Sequence, residues 1–155
     1  MTPALRVLAA SGIKPELHTY KYIERGGTQA SSGALDIEEH RIVKTLIFET
    51  NTGQPLVVLM HGDRMVSNKA LARQVGVRSV KPCNPAIAQK HSGYRVGGTS
   101  PFGLRKPLPV YVEQTILTLD WILINAGRRG LLMHISPSVL TNMLQAQPIC
   151  AAIAK

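Results

Sequence analysis

Cysteine is scarce in this chain. Cys83 and Cys150 are the only two among 155 residues, and they form no CxxC pair. They offer no disulfide framework and read as small buried apolar residues. Long apolar runs are missing as well. No segment approaches the roughly 20 residues that a membrane helix needs. The opening "MTPALRVLAASG" lacks the long apolar core of a signal peptide. The expectation is a soluble, cytoplasmic protein with no membrane partner. Charged residues make up only 17% of the chain, and just nine of them are acidic. The surface must therefore rely on Ser, Thr, Asn, Gln and His too.

What charge there is has one sign. The net charge is +9, and nine Lys or Arg residues lie between Arg64 and Lys106 without a single Asp or Glu. Such a block should set up a positive field on one side of the fold, which favours phosphate-rich partners. The alternative is a solvated basic surface with no partner.

The length suits one domain over residues 1–155, with a proper core. Thr2-Pro3, Asn84-Pro85 and Ser136-Pro137 each place a capping side chain before a proline. The cap satisfies an orphan amide, and the proline has none to satisfy. Helices are expected from Pro3 to Ser11, Pro85 to His91 and Pro137 to Ala146. A fourth, "NKALARQV", follows Ser67 and stops at Gly76. Strands are expected in "ELHTYKYI", "IVKTLIFE", "PLVVLMH", "VYVEQTI", "WILINAG" and "LLMHI", which are short, branched and apolar. Residues 24–41 read as a loop with a poor helix, where Asp36 and Glu39 could form a capping box. This order gives a mixed α/β fold, with strands buried on both faces or curled into a small barrel with helices outside.

Two features carry candidate chemistry. The first is "GYRVGGTSPFGLRK", residues 93–106, where glycines and hydroxyls stand near three basic side chains. Gly98 and Gly103 have P-loop spacing, but Leu104 stands where the lysine belongs, and "LRKPLPVYV" favours an extended chain over a helix. A loop that offers its own backbone to a ligand remains, beside an ordinary hairpin bend. The second is Lys44 within "RIVKTLIF". Period-two alternation puts Ile42, Lys44, Leu46 and Phe48 on one face. An ammonium there either snorkels from a sheet edge or reaches into a pocket, where it can stabilise developing negative charge.

Other chemistry is thin. The histidines at 18, 40, 61, 91 and 134 show no metal-ligand spacing, no GxSxG elbow is present, and no carboxylate neighbours the loop in sequence. No metal and no cofactor are expected. An enzyme built from these residues would work by positioning and electrostatics, and could borrow a reactive group from its substrate.

The chain resembles the YbaK/prolyl-tRNA synthetase-associated domain family of aminoacyl-tRNA deacylases. The resemblance runs from Thr2 to about Leu144. It is carried by Thr2-Pro3-Ala4, Ile13, His18-Thr19-Tyr20, Lys44-Thr45-Leu46, "AQKHSGYRVGGTSPFG" at 88–103 and "AGRRGL" at 126–131. It implies a small mixed-sheet, barrel-like core surrounded by helices. It also implies a pocket for the aminoacyl-adenosine end of mischarged tRNA, with Lys44 as its key residue and Gly97, Gly98, Thr99, Ser100 and Pro101 as the family's GxxxP loop. Tyr20, Thr45 and Asn125 would line the pocket. Arg73, Lys90, Arg105 and Lys106 would hold the acceptor stem, and prolyl-tRNA synthetase would be a further partner. Asn125 and Leu132 depart from the family, which has Ser at the first position and Asp or Ser at the second. The branch implied is specific for cysteine on proline tRNA, where the substrate thiol attacks its own ester. The rival readings are a deacylase for alanine or another small amino acid, and a catalytically silent RNA-binding or synthetase-binding module.

Overall fold

The computed structural model describes residues 1–155. In chain order the elements are α1 (Pro3–Ala10), β1 (Glu16–Thr19), α2 (Gly27–Leu35), a 3-10 turn (Glu39–Arg41), β2 (Ile42–Thr50), β3 (Pro55–His61), β4 (Arg64–Val66), α3 (Asn68–Val75), β5 (Val80–Pro82), α4 (Pro85–Ser92), β6 (Val110–Glu113), a second 3-10 turn (Gln114–Thr118), β7 (Ile122–Arg128), β8 (Leu131–Ile135), α5 (Ser138–Leu144), β9 (Gln147–Ile149) and β10 (Ala152–Ala154). No helix is long and apolar enough to cross a membrane.

The local signals work where a side chain closes a cap. Thr2 accepts from Leu5 N–H at 3.2 Å, Ser67 from Ala70 at 3.2 Å and Asn84 from Ile87 at 2.9 Å. Gly76 and Gly93 close α3 and α4 in the left-handed conformation. The third proline signal is displaced: Pro137 itself precedes α5, which starts at Ser138. The stretch 24–41 holds a real helix, α2. Asp36 is its left-handed C-cap, so the expected capping box does not exist. Glu39 instead accepts from Thr28 and pairs with Lys155. "VYVEQTI" leaves the strand after Glu113 and turns into 3-10 geometry, and "ELHTYKYI" pairs only as far as Thr19.

The sheet is mixed, as expected. Its pairing path is β1-β8-β7-β2-β3-β6-β9, with β5 also paired to β2 and with β10 and β4 forming a separate ribbon. The β2/β7, β3/β6 and β6/β9 pairs are parallel and the others antiparallel. One face is covered by α1, α5 and the 94–102 loop. Here Ala4, Leu8, Val43, Ile47, Leu59, Val112, Ile124, Met133, Phe102 and Leu140 belong to a continuous cluster of 19 buried residues. The opposite face is broken. Phe48, Leu56, Val58, Leu71 and Val80 form a cluster under α3, and Ile42, Leu123 and Leu132 form a separate, smaller one.

Candidate functional site

Lys44 stands in the break between those two clusters. It follows Ile42 by two residues and precedes Phe48 by four, so alternation puts it on their face, as expected. Lys44 pairs with Met60 of β3 on one side, and β7 pairs along the other side of β2 as far as Val43. The side chain is half-buried and forms no ion pair. Its Nζ donates to the Arg64 carbonyl at 2.5 Å. Burial first, then the Lys155 ammonium, push its pKa below the usual lysine value, while Glu39 and Asp63 pull the other way.

Asn125 shares this face. The parallel register sets Ile42 opposite Leu123 and Val43 opposite Ile124, and Lys44 and Asn125 continue the two strands. Both ends of the Asn125 amide are engaged. Nδ2 donates to Gly97 O at 3.2 Å, while Oδ1 accepts from the Gly127 and Arg128 amides at 2.7 and 3.0 Å. Asn125 therefore ties the glycine loop to the bulged end of β7. Tyr20 packs against the Ile42–Leu123–Leu132 cluster, so it too belongs here, and burial raises its pKa. Leu132 lies across β7–β8 from Asn125 and is 4% exposed, which makes that wall apolar.

The loop is held on several sides. Gly97 has φ +87°, and a Cβ there would lie 2.6 Å from the Tyr22 hydroxyl. A Cβ on Gly98 would lie 2.8 Å from the Arg129 amide nitrogen, so only glycine lets these two backbones meet. Behind the loop, the buried Tyr94 hydroxyl donates to Phe102 O at 2.6 Å, and burial pushes its pKa up to about 12. Thr99 donates to Arg95 O at 3.3 Å.

Not every expected residue reaches the Lys44 face. Thr45 alternates to the other side, between Val43 and Ile47 of the continuous cluster, where its hydroxyl has no partner. Ser100 is fully buried and its Oγ accepts from Phe102 N–H at 3.3 Å; Pro101 is buried as well. The basic block is divided. Arg73 sits on α3, over the Phe48 cluster, whereas Lys90 on α4 belongs to the opposite face, where Ala88 of the same helix packs on the continuous core. Arg105 and Lys106 go with Lys90: Arg105 N–H donates to Ser92 O at 3.0 Å, and its side chain lies against Gly93. The expected single positive side does not form from these residues.

Two groupings join residues that are distant in the chain. His40, His61 and Asp63 offer ligand atoms within 4.8 Å of one another. The rings of His40 and His61 stack at 3.7 Å with an 8° tilt, so an ion in the plane of one would lie out of the plane of the other. His61 Nδ1–H donates to His40 O at 2.8 Å and Nε2 accepts from Thr115 at 2.7 Å. Burial lowers the His61 pKa, and His40 contacts Asp63 at 2.9 Å. The trio suits a hydrogen-bond network better than a metal. The second grouping is a cleft of about 240 Å³ lined by Pro3, Gly93, Tyr94, Arg95, Gly98, Gly127, Arg128 and Arg129. A larger concavity of about 380 Å³, at the β2–β3 turn around Glu49 and Lys81, offers only an ion pair at 3.7 Å and no candidate chemistry.

The chain is similar to known proteins over most of its length. The family model for the aminoacyl-tRNA editing domain matches residues 27–143. The chain is 30% identical over 114 residues to a protein of Enterococcus faecalis named "Putative Cys-tRNA(Pro)/Cys-tRNA(Cys) deacylase EbsC", covering 74% of this chain and 70% of that one. It is 31% identical over 104 residues to a proline–tRNA ligase of Moorella thermoacetica, covering 66% of this chain but only 18% of the ligase. Among solved structures it superposes, with a TM-score of 0.85 and 21% identity, on "a putative trans-editing enzyme for prolyl tRNA synthetase", covering 99% of both chains. At that identity the likeness is one of fold.

Proposed function

Because the chain belongs to the aminoacyl-tRNA editing domain family, a family of deacylases, we propose that it acts in trans on mischarged tRNA and cleaves the ester of cysteine carried by proline tRNA. What supports this is Lys44: a half-buried ammonium without a carboxylate partner, on the same sheet face as the Asn125 amide that holds Gly97. An ester seated there would find a cation for its developing oxyanion and a glycine backbone against its adenosine.

Lys44 binds and stabilises charge; it is not the nucleophile. The residues on this face include no convincing general base. The substrate thiol supplies the attack. Its sulfur bonds to the ester carbonyl carbon, the bond to the tRNA 3′ oxygen breaks, and the thiol proton ends on that oxygen. Water then opens the resulting thiolactone. Thiol and carbonyl already belong to one molecule, so the pocket has only to hold the rotamer that brings sulfur up to the carbonyl carbon. Prolyl-tRNA synthetase fits as a partner, since it would produce the error this activity corrects.

The buried Leu132 beside Asn125 favours a second reading, a water-using deacylase for alanine. Single-turnover release of cysteine, serine and alanine from the same proline tRNA separates the two. The thiol route predicts that cysteine leaves far faster than serine, because an alcohol is a much poorer nucleophile near neutral pH. Equal release of cysteine and serine would make water the attacker, and fastest release of alanine would favour the second reading.

A further inference from the structure

Three arginines from two distant segments of the chain converge on one cleft. Arg95 precedes the glycine pair, while Arg128 ends β7 and Arg129 opens the turn into β8. They line one cleft, and Tyr94 is the only large side chain among its other five lining residues. Much of the wall is backbone. Gly98 lies so close to the 128–129 peptide that a Cβ would meet it at 2.8–3.3 Å. No carboxylate lines the cleft, and none of the three guanidiniums takes part in an ion pair. Yet Arg129 is not free to wander. Its Nε donates to Val96 O at 2.8 Å, and its Cζ lies over the Tyr22 ring, 4.8 Å from the centroid. Both Nη groups are left without a partner in the protein. A guanidinium held this way has already given up much of the rotamer freedom that binding would cost.

The position of the cleft suggests its ligand. The loop is one backbone thick at this point. Gly97 turns its carbonyl to Asn125, on the Lys44 face, while Gly98, the next residue, lines the arginine cleft. Gly93, at the far end, lies against Arg105, which extends the positive surface outward. A charged tRNA end whose ester occupies the Lys44 face can carry its next phosphate across this loop into the cleft.

We propose that the Arg95–Arg128–Arg129 cleft binds the phosphodiester 5′ of the terminal adenosine of charged tRNA. The identity of the ligand rests on the deacylase reading; the arginine cleft as an anion site does not. Two or more guanidinium donors on phosphate oxygens match the fork geometry of arginine, and the glycine walls let the phosphate approach the backbone.

The test uses the full chain and the uncharged trinucleotide CCA, with inorganic phosphate as the comparison probe. The wild-type protein should bind CCA more tightly than inorganic phosphate, with log K falling against log salt by about 0.7 per phosphate engaged. Arg95→Glu/Arg128→Glu should weaken CCA binding about tenfold or more per arginine and make the salt slope shallower. Arg95→Gln/Arg128→Gln, a milder change at the same two exposed positions, should weaken it in the same direction. Lys14→Glu/Arg78→Glu, with the same net charge change elsewhere on the surface, is the control and should weaken it far less. The proposal is overturned if CCA does not bind, if inorganic phosphate binds as well as CCA, or if the control loses as much as the arginine pair. Deacylation is read separately on charged tRNA. Loss of CCA binding in the arginine variants of a protein that releases no amino acid would sustain the phosphate site and remove the deacylase. Release of cysteine with CCA binding unchanged in those variants would do the reverse.

Discussion

The two faces of β2 have different work to do. On one, Val43 and Ile47 enter an unbroken apolar cluster that reaches from α1 to α5. On the other, apolar packing stops between Ile42 and Leu46, and Lys44 fills the gap. Burying an unpaired ammonium is unfavourable, and no cluster needs it there. The continuous face holds the sheet together, and the interrupted face presents a charge where a substrate can use it. One strand does both because successive residues point in opposite directions.

The continuous face should be the more sensitive to truncation. Leu59→Ala removes a fully buried side chain from it and should cost roughly 2–5 kcal/mol of unfolding free energy, read by urea titration. A cost under about 1 kcal/mol would mean that this face collapses around the cavity and is not a rigid platform.

Tyr94 is where the platform meets the loop, and its effect should be smaller. Tyr94→Phe deletes the hydrogen bond to Phe102 O and should cost about 0.5–1.5 kcal/mol near neutral pH. The pH dependence has a definite sign. The folded phenol keeps its proton up to about 12, while the unfolded one loses it at 10.0. Between those values the native state binds more protons, so stability falls as pH rises, by at most about 3 kcal/mol from this group. Tyr94→Phe should flatten that alkaline loss. A variant whose alkaline slope matches the wild type would take Tyr94 out of the account.

Much of this division can be read in the sequence, because it depends on local rules. Thr2, Ser67 and Asn84 announce helices through caps that reach only three residues. Lys44 stands out because its neighbours at period two are apolar. The same alternation argues against Thr45 as a pocket residue, since adjacent strand positions cannot share a face. Helix α2 is hard to foresee: its Gly, Ser and Ala side chains bury only Ser31 and leave almost no periodic signal. Strands β4, β5, β9 and β10 are three residues each, too short to show a pattern. What the sequence hides most fully depends on distant segments meeting. The nine cations from Arg64 to Lys106 are neighbours in the chain, yet α3 carries Arg73 over the Phe48 cluster and α4 carries Lys90 to the opposite face. Arg95 and Arg129 are far apart in the chain and line one cleft, because the Asn125 amide binds both the loop and the bulged end of β7.

The central claim is that Lys44 serves the reaction and not the fold, and Lys44→Ala tests it by two readings on one preparation. Single-turnover release of cysteine from proline tRNA should fall roughly 10²–10³-fold, the loss typical of one preorganised donor to a developing oxyanion. The urea midpoint should hold or rise, because burial already disfavours the Lys44 charge in the folded state. Near-normal release by a stable variant would contradict the account, and so would a loss of activity that only follows a loss of stability.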